Sequence, residues 1–209
     1  MFWSEKSVEN QIRFCWGVKM IQKTLTAVLA TALLTTVAAC SSNDERYLLP
    51  EVTDVAQVRS PVRSVEVQEI DLPDYVADSS IFLPDENGIL RLQKNQSWAD
   101  EPARAMTEQL SAGLDLALKA DVASEPWPFV DRPQAQVEVR LQGLTVLPSQ
   151  TLRMTGQFFV KSDDFIGLQT SKRFAIEVPI DGEGIPALAA ARRDAMHKLV
   201  ARIATALAR

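Results

Sequence analysis

Residues 136–160, QVEVRLQGLTVLPSQTLRMTGQFFV, decide the fold. Val137, Val139 and Leu141 alternate with Gln136, Glu138, Arg140 and Gln142. Pro148-Ser149-Gln150 interrupts the pattern, and then Leu152, Met154, Gly156, Phe158 and Val160 alternate with Thr151, Arg153, Thr155 and Gln157. A period of two sends successive side chains to opposite faces of an extended chain, so this pattern predicts two strands joined by a turn. A polar connection from Lys161 to Thr170 leads to Phe174, Ile176 and Val178, which alternate with Arg173, Ala175 and Glu177 and predict a third strand. Strands with one apolar and one polar face belong to antiparallel sheets that cover a core on one side and meet water on the other.

Such a sheet needs a cover. Residues 97–120 supply one: Ser97 or Asp100 can cap a helix, Pro102 falls in its first turn, and Ala103, Met106, Leu110, Leu114 and Ala117 recur at spacings of three and four. A second helix starts at Pro186, with Met196, Leu199, Val200, Ile203 and Leu207 as its apolar stripe and Arg192, Arg193, Lys198 and Arg202 assigned to water. Nearer the N-terminus, residues 62–70 read as a half-buried strand that ends at Leu72-Pro73-Asp74-Tyr75, since proline cannot donate to a ladder. Ile81-Phe82-Leu83 and Ile89-Leu90-Arg91-Leu92 flank a Pro/Asn-Gly turn and predict a hairpin. Residues 51–61 read as a loop or weak edge strand, and 125–129 as a loop. The expected fold class is α+β: a single domain with an antiparallel sheet of about five or six strands, packed by two amphipathic helices.

The most hydrophobic stretch lies elsewhere, in residues 20–40, MIQKTLTAVLATALLTTVAAC. One lysine, then sixteen uncharged residues, then small residues before a cysteine form the three-part layout of a secretory signal. A membrane-spanning helix wants about 20 strongly apolar residues, and a buried helix would show a polar face. Val37-Ala38-Ala39-Cys40 is similar to a bacterial lipobox, which implies cleavage between Ala39 and Cys40 and covalent diacylglycerol and N-acyl lipid on Cys40. Residues 1–19 have mixed charge and no period, and are read as an over-extended N-terminus. The expected organisation is then a signal peptide over 20–39, a lipidated cysteine and tether over 40–61, and a domain over 62–209. Among bacterial lipoproteins as a class, Ser41 at the sorting position points to the outer membrane, with the head on its periplasmic face.

Composition narrows function. The chain carries a net charge of −5, and the leading 39 residues hold four basic against two acidic side chains, so the remainder carries −7. That acidic head argues against nucleic acid, whose phosphates need basic surface. Cys15 falls in the leader, so Cys40 alone remains, and with His197 as the single histidine the chain cannot assemble a structural zinc site. His197 lies beside the apolar stripe of the last helix, with no oriented partner or nucleophile implied. The acid pairs Asp85-Glu86, Asp100-Glu101 and Asp163-Asp164 sit in turns and helix starts, where carboxylates serve solvation and capping. No nucleophile elbow or phosphate loop is present, and no catalytic residue, cofactor or metal is expected. Trp98, Trp127 and Phe129 admit two readings, as core residues or as interface anchors.

The order of elements carries a resemblance. Cys40 with a polar spacer, Tyr47-Leu48-Leu49-Pro50, a valine-rich strand running into Leu72-Pro73-Asp74-Tyr75-Val76, a hairpin, and Ser97-Trp98-Ala99 before an amphipathic helix resemble the ABC-type transport auxiliary lipoproteins. Within that family the chain is most similar to the paraquat-inducible PqiC outer-membrane lipoproteins. The resemblance implies a non-enzymatic part in intermembrane transport of lipids or other hydrophobic molecules, beside an inner-membrane MCE-domain protein whose periplasmic tunnel the lipoprotein docks or receives. It also implies homo-oligomeric rings, and it marks Leu72, Pro73, Tyr75 and Trp98 as structural or contact positions. The competing reading is a lipoprotein regulator that binds a periplasmic cell-envelope enzyme.

Overall fold

The computed structural model describes residues 44–162 and 167–208. Ala39, Cys40, the signal segment and the Asp163-Asp164 pair lie outside the described residues. In order, the elements are β1 (Glu45–Tyr47), β2 (Ser64–Val67), α1 (Asp74–Ala77), β3 (Ser80–Pro84), β4 (Leu90–Trp98), α2 (Pro102–Leu118), β5 (Asp121–Ser124), β6 (Ala135–Leu147), β7 (Thr151–Ser162), β8 (Gln169–Pro179) and α3 (Gly184–Leu207). The α+β class and the single domain stand. The strands, however, form two sheets, ordered β5-β2-β6-β7-β8 and β1-β4-β3.

The three alternating segments form the antiparallel β6-β7-β8 meander, with Val139 opposite Phe158 and Met154 opposite both Leu144 and Ile176. A bulge between Leu141 and Gly143 solves a parity problem in β6. Its apolar residues sit at odd positions through Leu141 and at even positions from Leu144, and one extra residue returns both sets to a single face.

The sheet is not antiparallel throughout. β2 runs parallel to both β5 and β6, with Val65 opposite Val122 and Ala135, and β1 runs parallel to β4. Alternation reports which face is buried and says nothing of strand direction. The chain leaves β2, makes the hairpin and α2, and returns as β5 in the same sense, as a helical crossover requires.

The helix expected from Ser97 starts at Pro102, because Ser97 and Trp98 complete β4 against Arg46 and Tyr47. Pro73, read as a break, caps one further turn of helix, α1, and its carbonyl accepts from the amides of Val76 and Ala77 at 2.8 and 3.0 Å. Residues read as tether and loop are also tied to the body. Val52 is buried, the Val58 amide donates to the Ala117 carbonyl (2.8 Å), and Ser60 Oγ donates to the Leu207 carbonyl (2.7 Å). The last two bonds satisfy terminal carbonyls of α2 and α3 that have no partner within their own helices.

Helices α2 and α3 cover the apolar face of the five-stranded sheet. They approach so closely that a Cβ on Gly113 would meet Val200 Cγ2 at 2.7 Å. Of the four cations assigned to water, Lys198 and Arg202 reach the edge strand β8 and donate to the carbonyls of Glu177 (2.9 Å) and Ala175 (3.3 Å). Arg193 pairs with Asp194 at 2.7 Å. Arg192 contradicts its assignment: it is buried at 5% exposure.

Gly156 is the tightest point of the meander. A Cβ there would lie 2.4 Å from the Arg140 carbonyl oxygen and 2.9 Å from Phe174 Cζ, and backbone cannot yield as a flexible side chain can. Gly156→Ala should therefore destabilise the protein by about 2 kcal/mol or more, lowering the melting temperature by roughly 4–8 °C. Thermal unfolding of the variant beside the parent checks this.

Candidate functional site

The two sheets meet at Trp98. It ends β4 at 5% exposure, its amide donates to the Ser79 carbonyl (2.8 Å), and its ring lies 4.5 Å from the guanidinium carbon of Arg192 on α3. Arg192 Nη2 donates to Met106 Sδ of α2 at 3.4 Å, and Nε has no partner among the described residues. Burial pulls the guanidinium down to about 10, so it is still charged at neutral pH. A cation out of water is costly, and the negative face of an indole is one of the few uncharged groups that offsets the cost. The sequence did carry a sign of this. Arg192 stands four residues after Leu188 and four before Met196, on the same stripe.

Beside this pair is a cavity of about 40 Å³, lined among others by Tyr75, Ile81, Leu144, Val146 and Leu188. It has room for a few waters at most. Tyr75 Oη accepts from the Leu144 amide at 3.0 Å, fixing α1 to β6. Of the four positions marked by resemblance, the structure brings Tyr75 and Trp98 together on this cavity. Pro73 caps α1, and Leu72 is half-buried against the core. Trp98 thus takes the core reading.

Two roomier hollows are rimmed by charge. One, of about 310 Å³, is lined by Val52, Thr53, Asp54, Arg193, Asp194 and His197; the other, of about 390 Å³, has Lys172, Arg173 and Arg202 around Phe158. His197 Nε2 lies 3.3 Å from the Asp54 carbonyl oxygen, so the ring is engaged by backbone. Among the described residues no cluster of acids and histidine could hold a metal ion. Asp85 is engaged by its own turn: the Ile89 amide holds its carboxyl below the usual range, and Arg91 pairs with it at 3.0 Å. Asp100 is likewise taken up by Arg104 one turn along α2.

The other two aromatic residues are surface features. Between β5 and β6, Trp127 Nε1 donates to the Asp131 carbonyl (2.7 Å), and its ring meets Phe129 edge-on at 5.0 Å. Phe129 is 56% exposed and Val130 is fully exposed, so the loop presents an apolar tip held from behind by the indole. Prolines at 126, 128 and 133 restrict its backbone. This loop precedes Ala135 at the start of β6. The Trp98 cavity is lined by residues near the end of the same strand, about 30 Å away at the rise of an extended chain.

A family model described as the ABC-type transport auxiliary lipoprotein component matches residues 47–204, well over half the chain, and the chain belongs to that family. No curated protein matches. Among solved structures, an uncharacterised protein is similar at 16% identity and a TM-score of 0.61, with 77% of this chain and 98% of that one covered. A Xanthomonas campestris protein of the family DUF330 is similar at 12% identity and a TM-score of 0.58, covering 76% and 92%. At these identities the likeness is one of fold.

The Trp98–Arg192 contact makes an asymmetric prediction. Trp98→Ala removes a large buried ring and strands a buried cation, and should cost about 3–5 kcal/mol. Arg192→Met keeps the volume and removes the charge, and should cost less than about 1.5 kcal/mol. Denaturant unfolding of the two variants measures both.

Proposed function

We propose that this member of the ABC-type transport auxiliary lipoprotein family is held at the outer membrane by acylated Cys40 and docks the periplasmic tunnel of an inner-membrane MCE-domain protein. It would thereby serve intermembrane transport of lipids or other hydrophobic molecules. Membership of a transport family supports the class of activity. The shape of the head supports the manner. Pockets that enclose hydrophobic ligands run from about 300 Å³ upward with apolar walls. Here the cavity at the core holds about 40 Å³, and the roomier hollows are rimmed by charged side chains. A head so built acts through its surface and leaves passage of the cargo to an assembly.

The observation that carries the docking reading is the Phe129–Val130 tip. Exposed aromatic and aliphatic side chains on a constrained loop lose little conformational freedom on binding, which suits an interface anchor. Its distance from the Trp98 end of β6 sets it apart from the part of the fold that follows the tether.

Phe129→Ser with Val130→Ser should leave the melting temperature within about 1 °C of the parent, since neither side chain is in the core, and should reduce co-purification of the MCE-domain protein at least tenfold. Retained co-purification would remove the loop as the docking surface. Capture of a cell-envelope synthase with no MCE-domain protein would favour the regulator reading. Cys40→Ala should leave the head folded and release it from the membrane fraction, and continued sedimentation with membranes would refute acylation at that residue.

A further inference from the structure

We propose that the outward face of the β3–β4 hairpin lies against the membrane surface beside the lipid anchor, a reading that rests on acylation of Cys40. The hairpin exposes Ile89, Leu90 and Leu92, while Phe82 and Pro84 across from the two leucines are half-buried. Cross-strand register places Phe82 opposite Leu92 and Pro84 opposite Leu90, so these four residues share one face. Leu83 and Arg91 form the pair between them on the other face, where Leu83 packs against the core. Leu92 is 52% exposed, Leu90 39%, and Ile89 at the turn 50%. Contiguous exposed apolar side chains of this kind mark a surface that is covered in use.

Chain direction identifies the cover. β1 runs parallel to β4, with Glu45 beside Gln96 and Tyr47 beside Trp98. β1 therefore enters its sheet from the side of the hairpin turn. Cys40 lies five residues before Glu45 and has a reach of about 17 Å. Leu92 lies four residues before Gln96, about 13 Å along the strand. A chain of that length lets acyl groups on Cys40 reach a bilayer that lies against the exposed leucines.

Two features suit the hairpin to that place. Its turn is pre-formed: Asp85 Oδ1 accepts from the amides of Asn87 (3.0 Å) and Ile89 (2.9 Å), and Oδ2 from Arg91 Nε (3.0 Å). Its charges, Asp85 and Glu86 against Arg91 and Lys94, balance to zero, so anionic headgroups do not repel it. An acylated protein already has its attachment, and a few leucines at the interface set the orientation of the head.

The test uses the full acylated protein, reconstituted in vesicles of phosphatidylethanolamine and phosphatidylglycerol. Because Cys15 falls in the leader and Cys40 is consumed by the lipid, Leu92→Cys, Leu90→Cys or Val130→Cys each supplies one free thiol for a fluorophore. Nitroxide-bearing lipid should quench the labels at 90 and 92 at least twofold more than the label at 130. Equal quenching at the three sites, on protein that floats with the vesicles and carries acyl mass on Cys40, overturns the hairpin proposal and leaves the anchor intact. Self-quenching between copies at 90 and 92 without lipid quenching assigns the face to a second copy and also overturns it. Protein that lacks acyl mass and fails to float overturns the anchor, and the hairpin proposal with it.

Discussion

The joint between the two sheets is built around a buried cation, and the groups that offset its burial constrain the structure there. Arg192 is charged and buried, with an indole over its guanidinium in place of a carboxylate. An ion in a low-dielectric interior is tolerated when the groups around it are fixed, and here they come from three places: Trp98 from the three-stranded sheet, Met106 from α2, and α3 itself. Removing the indole would strand a buried charge, whereas removing the charge would leave an ordinary apolar contact. The contact therefore fixes the smaller sheet on the larger body, and with it the direction in which β1 and the hairpin leave the core. The Tyr75 hydroxyl on the Leu144 amide closes the same joint from the far side of the cavity.

Much of this fold was legible in residues 136–178, where alternation marks three strands on either side of the turn at 148–150 and the connection at 161–170; the bulge at Gln142 came with the structure. Strand direction was not legible, because period two is the same in parallel and antiparallel pairs. Hence the parallel β2-β5 and β2-β6 pairs, and the second sheet with its parallel β1-β4 pair, came only with the structure. The helix start was misplaced by five residues because Ser97 is a good cap by composition, while its partner across the sheet, Arg46, is remote in sequence. Residues 52–60 looked like slack chain, and their work, capping two helix ends, is done by backbone groups and one serine that carry no pattern. Arg192 was assigned to water by residue type against its position on the stripe. Trp98, Trp127 and Phe129 could not be separated by type at all; register buries the first and leaves Phe129 exposed.

Two surfaces follow from these constraints. Where β4 and β1 run side by side, the hairpin carries Leu90 and Leu92 outward. Near the other end of β6, a proline-bound loop holds Phe129 and Val130 in solvent. On the proposed reading the hairpin meets the membrane and the loop meets the partner, which suits a protein that holds an assembly in place. Membership of the ABC-type transport auxiliary lipoprotein family gives that proposed division of surfaces a setting, with the MCE-domain partner proposed to meet the Phe129–Val130 loop.

Site-specific photocrosslinking in living cells, with the reactive group at position 130 of the otherwise unaltered protein, addresses this arrangement most directly. The proposed function predicts a covalent adduct between this chain and an inner-membrane MCE-domain protein, formed at Val130 and absent when the group is placed on the hairpin at Leu92. Adducts at Val130 confined to a cell-envelope synthase, with no MCE-domain protein at either position, would contradict it.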